Sequence, residues 1–148
     1  MKVLKYGLFE RDAYLRSAGF SRMLPTYDGS CHCGYVRFRV MTEISQVREC
    51  NCSICFMRGT LNIRVSEDQL EIFTPLSAMK LYQWGRKTAK DYFCTECGVL
   101  TFRRPGALTD EEIRAGRTPF FGWAVNARCL RGLDFERLSV VKIDGLSL

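Results

Sequence analysis

Tyr92-Phe93-Cys94-Thr95-Glu96-Cys97-Gly98, read beside Gly29-Ser30-Cys31-His32-Cys33-Gly34, decides how this chain folds. In Cys94-x-x-Cys97 the two-residue gap lets both sulfurs reach one ion. The glycine that follows relieves crowding where backbone amides turn toward the sulfurs. Cys31-x-Cys33-Gly34 is tighter and carries the same trailing glycine. The two pairs are far apart in the chain. One four-cysteine site built from both would tie the strand after Gly34 to the strand after Gly98. Such a staple suits a small β domain whose core alone is marginal. Zinc is the metal expected there. Iron in a rubredoxin-type site is the alternative, but such sites usually carry two Cys-x-x-Cys pairs.

A third group, Cys50-Asn51-Cys52-Ser53-Ile54-Cys55, holds three more of the eight cysteines. Three thiolates leave a tetrahedral ion one ligand short. Two readings stay open. Cys129, alone in Ala127-Arg128-Cys129-Leu130, could close a second structural site, or it could be a buried cysteine without a ligand role. An open position would carry chemistry. Three thiolates on Zn²⁺ leave a net charge of −1, which suits a soft thiolate better than ionising water. An incoming thiol would lose its proton on coordination. Arg58, three residues past Cys55, either offsets the extra negative charge or is a solvated loop residue. His32, the one histidine, lies between two expected ligands and is not assigned a catalytic role.

The bulk properties set the frame. The chain has 148 residues, 47% of them hydrophobic, which suits one folded domain. No apolar run is long enough for a membrane span. Residues Met1 to Phe20 mix Lys2, Lys5, Glu10, Arg11, Asp12 and Arg16 with apolar positions, unlike the apolar core of a signal peptide. A reducing cytoplasm is therefore expected, with thiols free for metal rather than paired in disulfides. The formal charge of +6 invites a nucleic-acid reading. Seven metal-bound thiolates and two dications lower that excess to about +3, which weakens it.

Periodicity predicts short strands. Val36, Phe38 and Val40 alternate with Arg37 and Arg39, and Leu61, Ile63 and Val65 repeat the pattern. Leu70 and Ile72 follow a turn at 66–69. Residues 79–84 and 88–93 flank a hairpin turn at Gly85. Strands are also expected over 99–103, ended by Pro105-Gly106, and over 121–125 and 138–143. Thr109 before Asp110, Glu111 and Glu112 reads as a helix start, and Gly116 as its stop. Residues 1–25 form an N-terminal extension, helical through Leu4, Leu8, Tyr14 and Leu15 or else disordered. Residues 26–148 form the zinc-binding domain.

The cysteine motifs, with Tyr82-Gln83-Trp84-Gly85 and Asn126-Ala127-Arg128-Cys129-Leu130, resemble the glutathione-dependent formaldehyde-activating enzyme family, which includes centromere protein V-like members. The likeness runs from Thr26 to the C-terminus. It implies a mainly β fold of the β-tent type, small antiparallel sheets with little helix, and two zinc ions per chain. Positions matching the structural ligands are Cys31, Cys33, Cys94 and Cys97. Those matching the catalytic zinc are Cys50, Cys52 and Cys55. The implied activity is that of a carbon–sulfur lyase of the S-hydroxymethylglutathione synthase type. Glutathione and an aldehyde such as formaldehyde are then the small-molecule partners; the lack of an apolar span speaks against a membrane and the reduced charge against nucleic acid. Two non-enzymatic readings remain beside it: a thiol-binding zinc module, and a protein or nucleic-acid interaction domain with two structural zincs.

Overall fold

The computed structural model describes residues 23–147. The helix read around Leu4, Leu8, Tyr14 and Leu15 lies outside the described residues. Ten strands carry the described chain: β1 Thr26–Ser30, β2 Arg37–Met41, β3 Gln46–Cys50, β4 Asn62–Val65, β5 Leu70–Ile72, β6 Lys80–Tyr82, β7 Lys90–Phe93, β8 Leu100–Arg104, β9 Trp123–Asn126 and β10 Ser139–Ile143. Two short helices, α1 Ser53–Arg58 and α2 Asp110–Arg114, complete the regular structure beside a few single 3-10 turns. The fold is mainly β, as expected.

The strands form two sheets, one ordered β1-β2-β5 and the other β10-β3-β4-β9-β8-β7-β6. All but one of their pairings are antiparallel. The exception is β10, which runs parallel to β3 and places Ile143 beside Cys50. No local pattern foretold that pairing, because a parallel neighbour comes from a distant part of the chain. β3 itself was not expected. Val47 is its only fully buried residue, so Gln46-Val47-Arg48-Glu49-Cys50 shows no apolar alternation. β6 is shorter than the expected 79–84, since all three of its residues are exposed at a sheet edge.

Local chemistry explains several other boundaries. Thr109 accepts a hydrogen bond from the Glu112 amide, and the Glu112 carboxylate accepts from the Thr109 amide, which starts α2 with a reciprocal cap. Gly29 stands directly opposite Phe38. A methyl group at Gly29 would lie 2.3 Å from the Phe38 ring, so only glycine lets that ring lie across β1. Phe38 then meets Phe102 edge-on at 5.3 Å, and Phe102 meets Trp123 at 5.4 Å. These rings join the two sheets, and Val36, Val40, Val47, Val65 and Val125 fill the space around them.

Side chains alternate across a strand, so the large sheet has two unlike faces. Val47, Ile63, Val125, Phe102 and Tyr92 face the core. The register puts Arg48, Cys50, Asn62, Arg64, Ala124, Arg103 and Asp91 on the other side. α1 crosses this second, polar face, where its Arg58 meets Asp91.

Candidate metal centre

Two hairpins with the same local plan bring four cysteines together. β1 runs into Cys31 and turns back through Gly34 into β2, while β7 runs into Cys94 and turns back through Gly98 into β8. The Cys31 amide donates to the Val36 carbonyl and the Cys94 amide to the Val99 carbonyl. Gly34 and Gly98 both adopt positive φ, at 81° and 74°, which these turns require. The four sulfurs of Cys31, Cys33, Cys94 and Cys97 lie within 4.8 Å of one another. Cys31–Cys33 and Cys33–Cys94 measure 3.5 and 3.6 Å. A tetrahedral zinc with bonds of about 2.3 Å sets its sulfurs roughly 3.8 Å apart, so the donor set fits. Amides of Val36, Glu96 and Cys97 point at the Cys31 and Cys94 sulfurs, as thiolate ligands need. Burial raises the Cys97 thiol, but hydrogen bonds from the Cys33 and Val99 backbone and from neighbouring thiols outweigh it. Its pKa comes down to about 6. Each sheet supplies one hairpin, so an ion here would cross-link the two.

The second group gathers Cys50, Cys52 and Cys55, also within 4.8 Å of one another. Cys50 ends β3, Cys52 caps α1, and Cys55 lies one turn into it. The three-residue step from Cys52 to Cys55 puts both on one face of the helix. Among the described residues no fourth histidine, cysteine or carboxylate joins this group. Burial pushes the Cys55 thiol up to about 12, with Cys52 adding to the rise. Burial also raises Cys52, but the Cys55 and Ile54 amides and the adjoining thiols overcome it and leave Cys52 below the usual thiol range. These two donor sets could each hold a metal ion.

Cys129 belongs to neither group. Its thiol donates to the Leu100 carbonyl at 3.8 Å, and burial, aided by Cys31 and Cys97, pushes it up to about 12. The closed second site through Cys129 therefore has no geometric support. All eight cysteines are free, which removes the disulfide alternative. His32 is exposed and joins neither group.

The structure also corrects the reading of Arg58. It is neither a solvated loop residue nor the cation at the sulfurs. Its guanidinium donates to Asp91 at 2.6 Å and lies 4.6 Å over the Phe93 ring. The cation that reaches a sulfur is Arg103, whose Nη1 lies 3.8 Å from Cys55 Sγ. Its Nε donates to Asp91 at 2.8 Å, and Asp91 is fully buried. The alternation Phe102 inward, Arg103 outward carried a trace of this, but only the β7–β8 register brings Asp91 level with Arg103.

A chain segment packs against Cys50 and Cys52 from the C-terminal side. Asn51 donates from Nδ2 to Asp144 at 3.0 Å and accepts from the Leu146 amide at 3.0 Å. Between these bonds, Gly145 passes so close that a methyl group there would stand 2.4 Å from Cys50 Sγ. Beside the thiols lies a cavity of about 440 Å³ lined in part by Cys50, Cys55, Phe56, Thr60, Lys142 and Asp144.

Fold and site define a β-rich protein with two thiol clusters fit for metal, one four-sulfur and closed, the other three-sulfur and beside a cavity. A family profile described as glutathione-dependent formaldehyde-activating enzyme matches residues 26–117, and the chain belongs to that family. The match ends short of β9, β10 and the segment beside Cys50, whereas the likeness in the cysteine and flanking motifs extends toward the C-terminus. A crystal structure of a Rhodobacter sphaeroides protein is similar in fold, with a TM-score of 0.60 and 26% identity. The similarity covers 77% of this chain and 99% of that one. No helix among the described residues is long and apolar enough to cross a membrane.

Proposed function

We propose that this protein is a zinc-dependent carbon–sulfur lyase that makes and breaks a glutathione–aldehyde adduct of the S-hydroxymethylglutathione type. One observation carries the reading: three clustered thiols with no fourth protein ligand among the described residues, beside a cavity of about 440 Å³. Cys50, Cys52 and Cys55 would hold the catalytic zinc, and Cys31, Cys33, Cys94 and Cys97 the structural one. Zinc at the three-thiol site would supply a Lewis acid that takes a substrate thiol as thiolate. Free thiols throughout support a reducing compartment such as the cytoplasm.

The chain's own residues orient the substrate. Arg48 precedes Cys50 by two residues on the same face of β3, a step of about 7 Å. Arg64 stands on the same face of the neighbouring strand. The Arg64 guanidinium is held over the Phe120 ring at 4.7 Å, so Arg48, nearer Cys50, is the better placed to receive a peptide carboxylate. Phe56 and Thr60 wall the cavity next to Cys55. In the forward direction the substrate sulfur, its proton released to solvent, adds to the aldehyde carbon. The carbonyl π pair moves to oxygen, which takes up a proton. No oxidant is needed. Holding sulfur and carbonyl together would supply much of the rate gain, since the addition is feasible unaided.

The test is titration of the zinc-loaded protein with glutathione, followed by calorimetry and zinc-edge absorption, with adduct exchange measured by NMR. Binding heat, one added sulfur and faster exchange are expected. Binding without faster exchange would leave a thiol carrier. The absence of both binding heat and an added sulfur would overturn the proposal.

A further inference from the structure

A metal held by three thiolates carries a net charge of −1, and a substrate thiolate makes it −2. Cys55 is only 6% exposed, so part of that charge sits away from water. Uncompensated charge in such a place is costly. The cation beside it comes from a strand distant in sequence. Arg103, on the polar face of β8, spans two acceptors with one planar group: Nε to Asp91 Oδ1 at 2.8 Å, and Nη1 toward Cys55 Sγ at 3.8 Å. Asp91 is anchored in turn, because its other oxygen accepts from Arg58 at 2.6 Å. Arg58 is held by the faces of Phe93 and Tyr82, at 4.6 and 5.6 Å. Asp91 thus has both oxygens engaged by arginines, yet only one of the two cations faces the sulfurs.

We propose that Arg103 is the positioning and charge-balancing residue of the three-thiol metal centre, aimed by the Asp91–Arg58 pair. Its fork geometry is essential, since a lysine ammonium can be a point charge for Asp91 but cannot span carboxylate and sulfur in one plane. Two consequences follow from the contact. Arg103 lowers the cost of bringing a second negative charge to the centre when a thiol substrate joins as thiolate. It also draws electron density from Cys55, so the ligand sulfur is a poorer nucleophile than the incoming one. The inference rests on reading the three thiols as a metal site.

The experiment loads the full chain with cobalt(II) and records the sulfur-to-cobalt charge-transfer bands before and after adding glutathione. Wild type, Arg103→Gln and Arg103→Lys are compared. The change on adding glutathione reports the open centre alone, because the four-sulfur site has no free position. We expect Arg103→Gln to shift that difference spectrum and to weaken glutathione binding about tenfold or more. Arg103→Lys, which keeps a cation for Asp91, should fold and recover binding only in part. Two cobalt ions per chain with band positions and glutathione affinity unchanged in Arg103→Lys would overturn the inference, leaving Arg103 as a structural partner of Asp91. If Arg103→Gln does not fold, Arg103→Lys decides alone. One cobalt ion per wild-type chain would instead refute the metal reading of the triplet, a distinguishable result.

Discussion

Replacing Gly145 with alanine tests how tightly the C-terminal segment is fitted to the three thiols. Gly145 has no positive φ, so alanine suits its backbone, and any effect comes from the contact alone. The new methyl group would stand 2.4 Å from Cys50 Sγ and 2.8 Å from Cys52 Cβ. Relaxed contacts between such atoms need about 3.5–4.0 Å, so either the segment or Cys50 must move by roughly 1 Å or more. Moving the segment endangers the two Asn51 bonds, to Asp144 and from Leu146, each contributing about 1 kcal/mol. Moving Cys50 pulls one donor away from the other two. Overpacking of this kind costs about 1–3 kcal/mol, which is about five- to 150-fold in an equilibrium constant. The expected result is weaker metal binding at the three-thiol site by that factor, with the four-sulfur site unaffected. Competition against a chromophoric chelator resolves the two ions by affinity. Equal affinities in wild type and Gly145→Ala would refute the close fit and show that the segment moves aside freely.

Asp91→Asn leaves two arginines without their buried carboxylate, and removal of one partner from such a cluster costs about 3–5 kcal/mol; urea unfolding at neutral pH should show a loss of that size. Burial holds the metal-free Cys55 thiol at about 12, so it is protonated at neutral pH and loading must expel the proton. Metal affinity at the three-thiol site should therefore rise with pH, by about tenfold per unit for each proton released, and a flat profile in chelator competition would contradict this. Cys129→Ser should retain two zinc equivalents by elemental analysis, because its sulfur lies in neither cluster; loss of one equivalent would restore the closed-site reading.

The local pattern was legible wherever one segment contained its own cause. Cys94-x-x-Cys97-Gly98 and Cys31-x-Cys33-Gly34 announce their turns, because sulfur spacing and a following glycine act within a few residues. Thr109 and Glu112 announce a helix start for the same reason. The β2, β4 and β5 strands showed in their apolar residues two apart, and β8 in its place between the Cys94–Gly98 knuckle and Pro105-Gly106. β3 did not, because a single buried valine sets no period. α1 was missed as well, its six residues too few to repeat an apolar spacing.

Three features came only from the assembled chain. The parallel β3–β10 pair sets Ile143 beside Cys50 and so delivers Gly145 to the thiols. The β7–β8 register sets Asp91 level with Arg103, which gives Arg103, not the sequence-adjacent Arg58, the contact with Cys55. Cys129 packs against Leu100 and is kept away from the triplet. Short-range spacing along the backbone pairs Cys31 with Cys33, Cys94 with Cys97, and Cys50 with Cys52 and Cys55, but joining the two pairs in one site takes the meeting of two sheets. Which charge balances an ion at the triplet, and what packs beside it, depends on strands that meet from distant parts of the chain, where no periodic signal reaches.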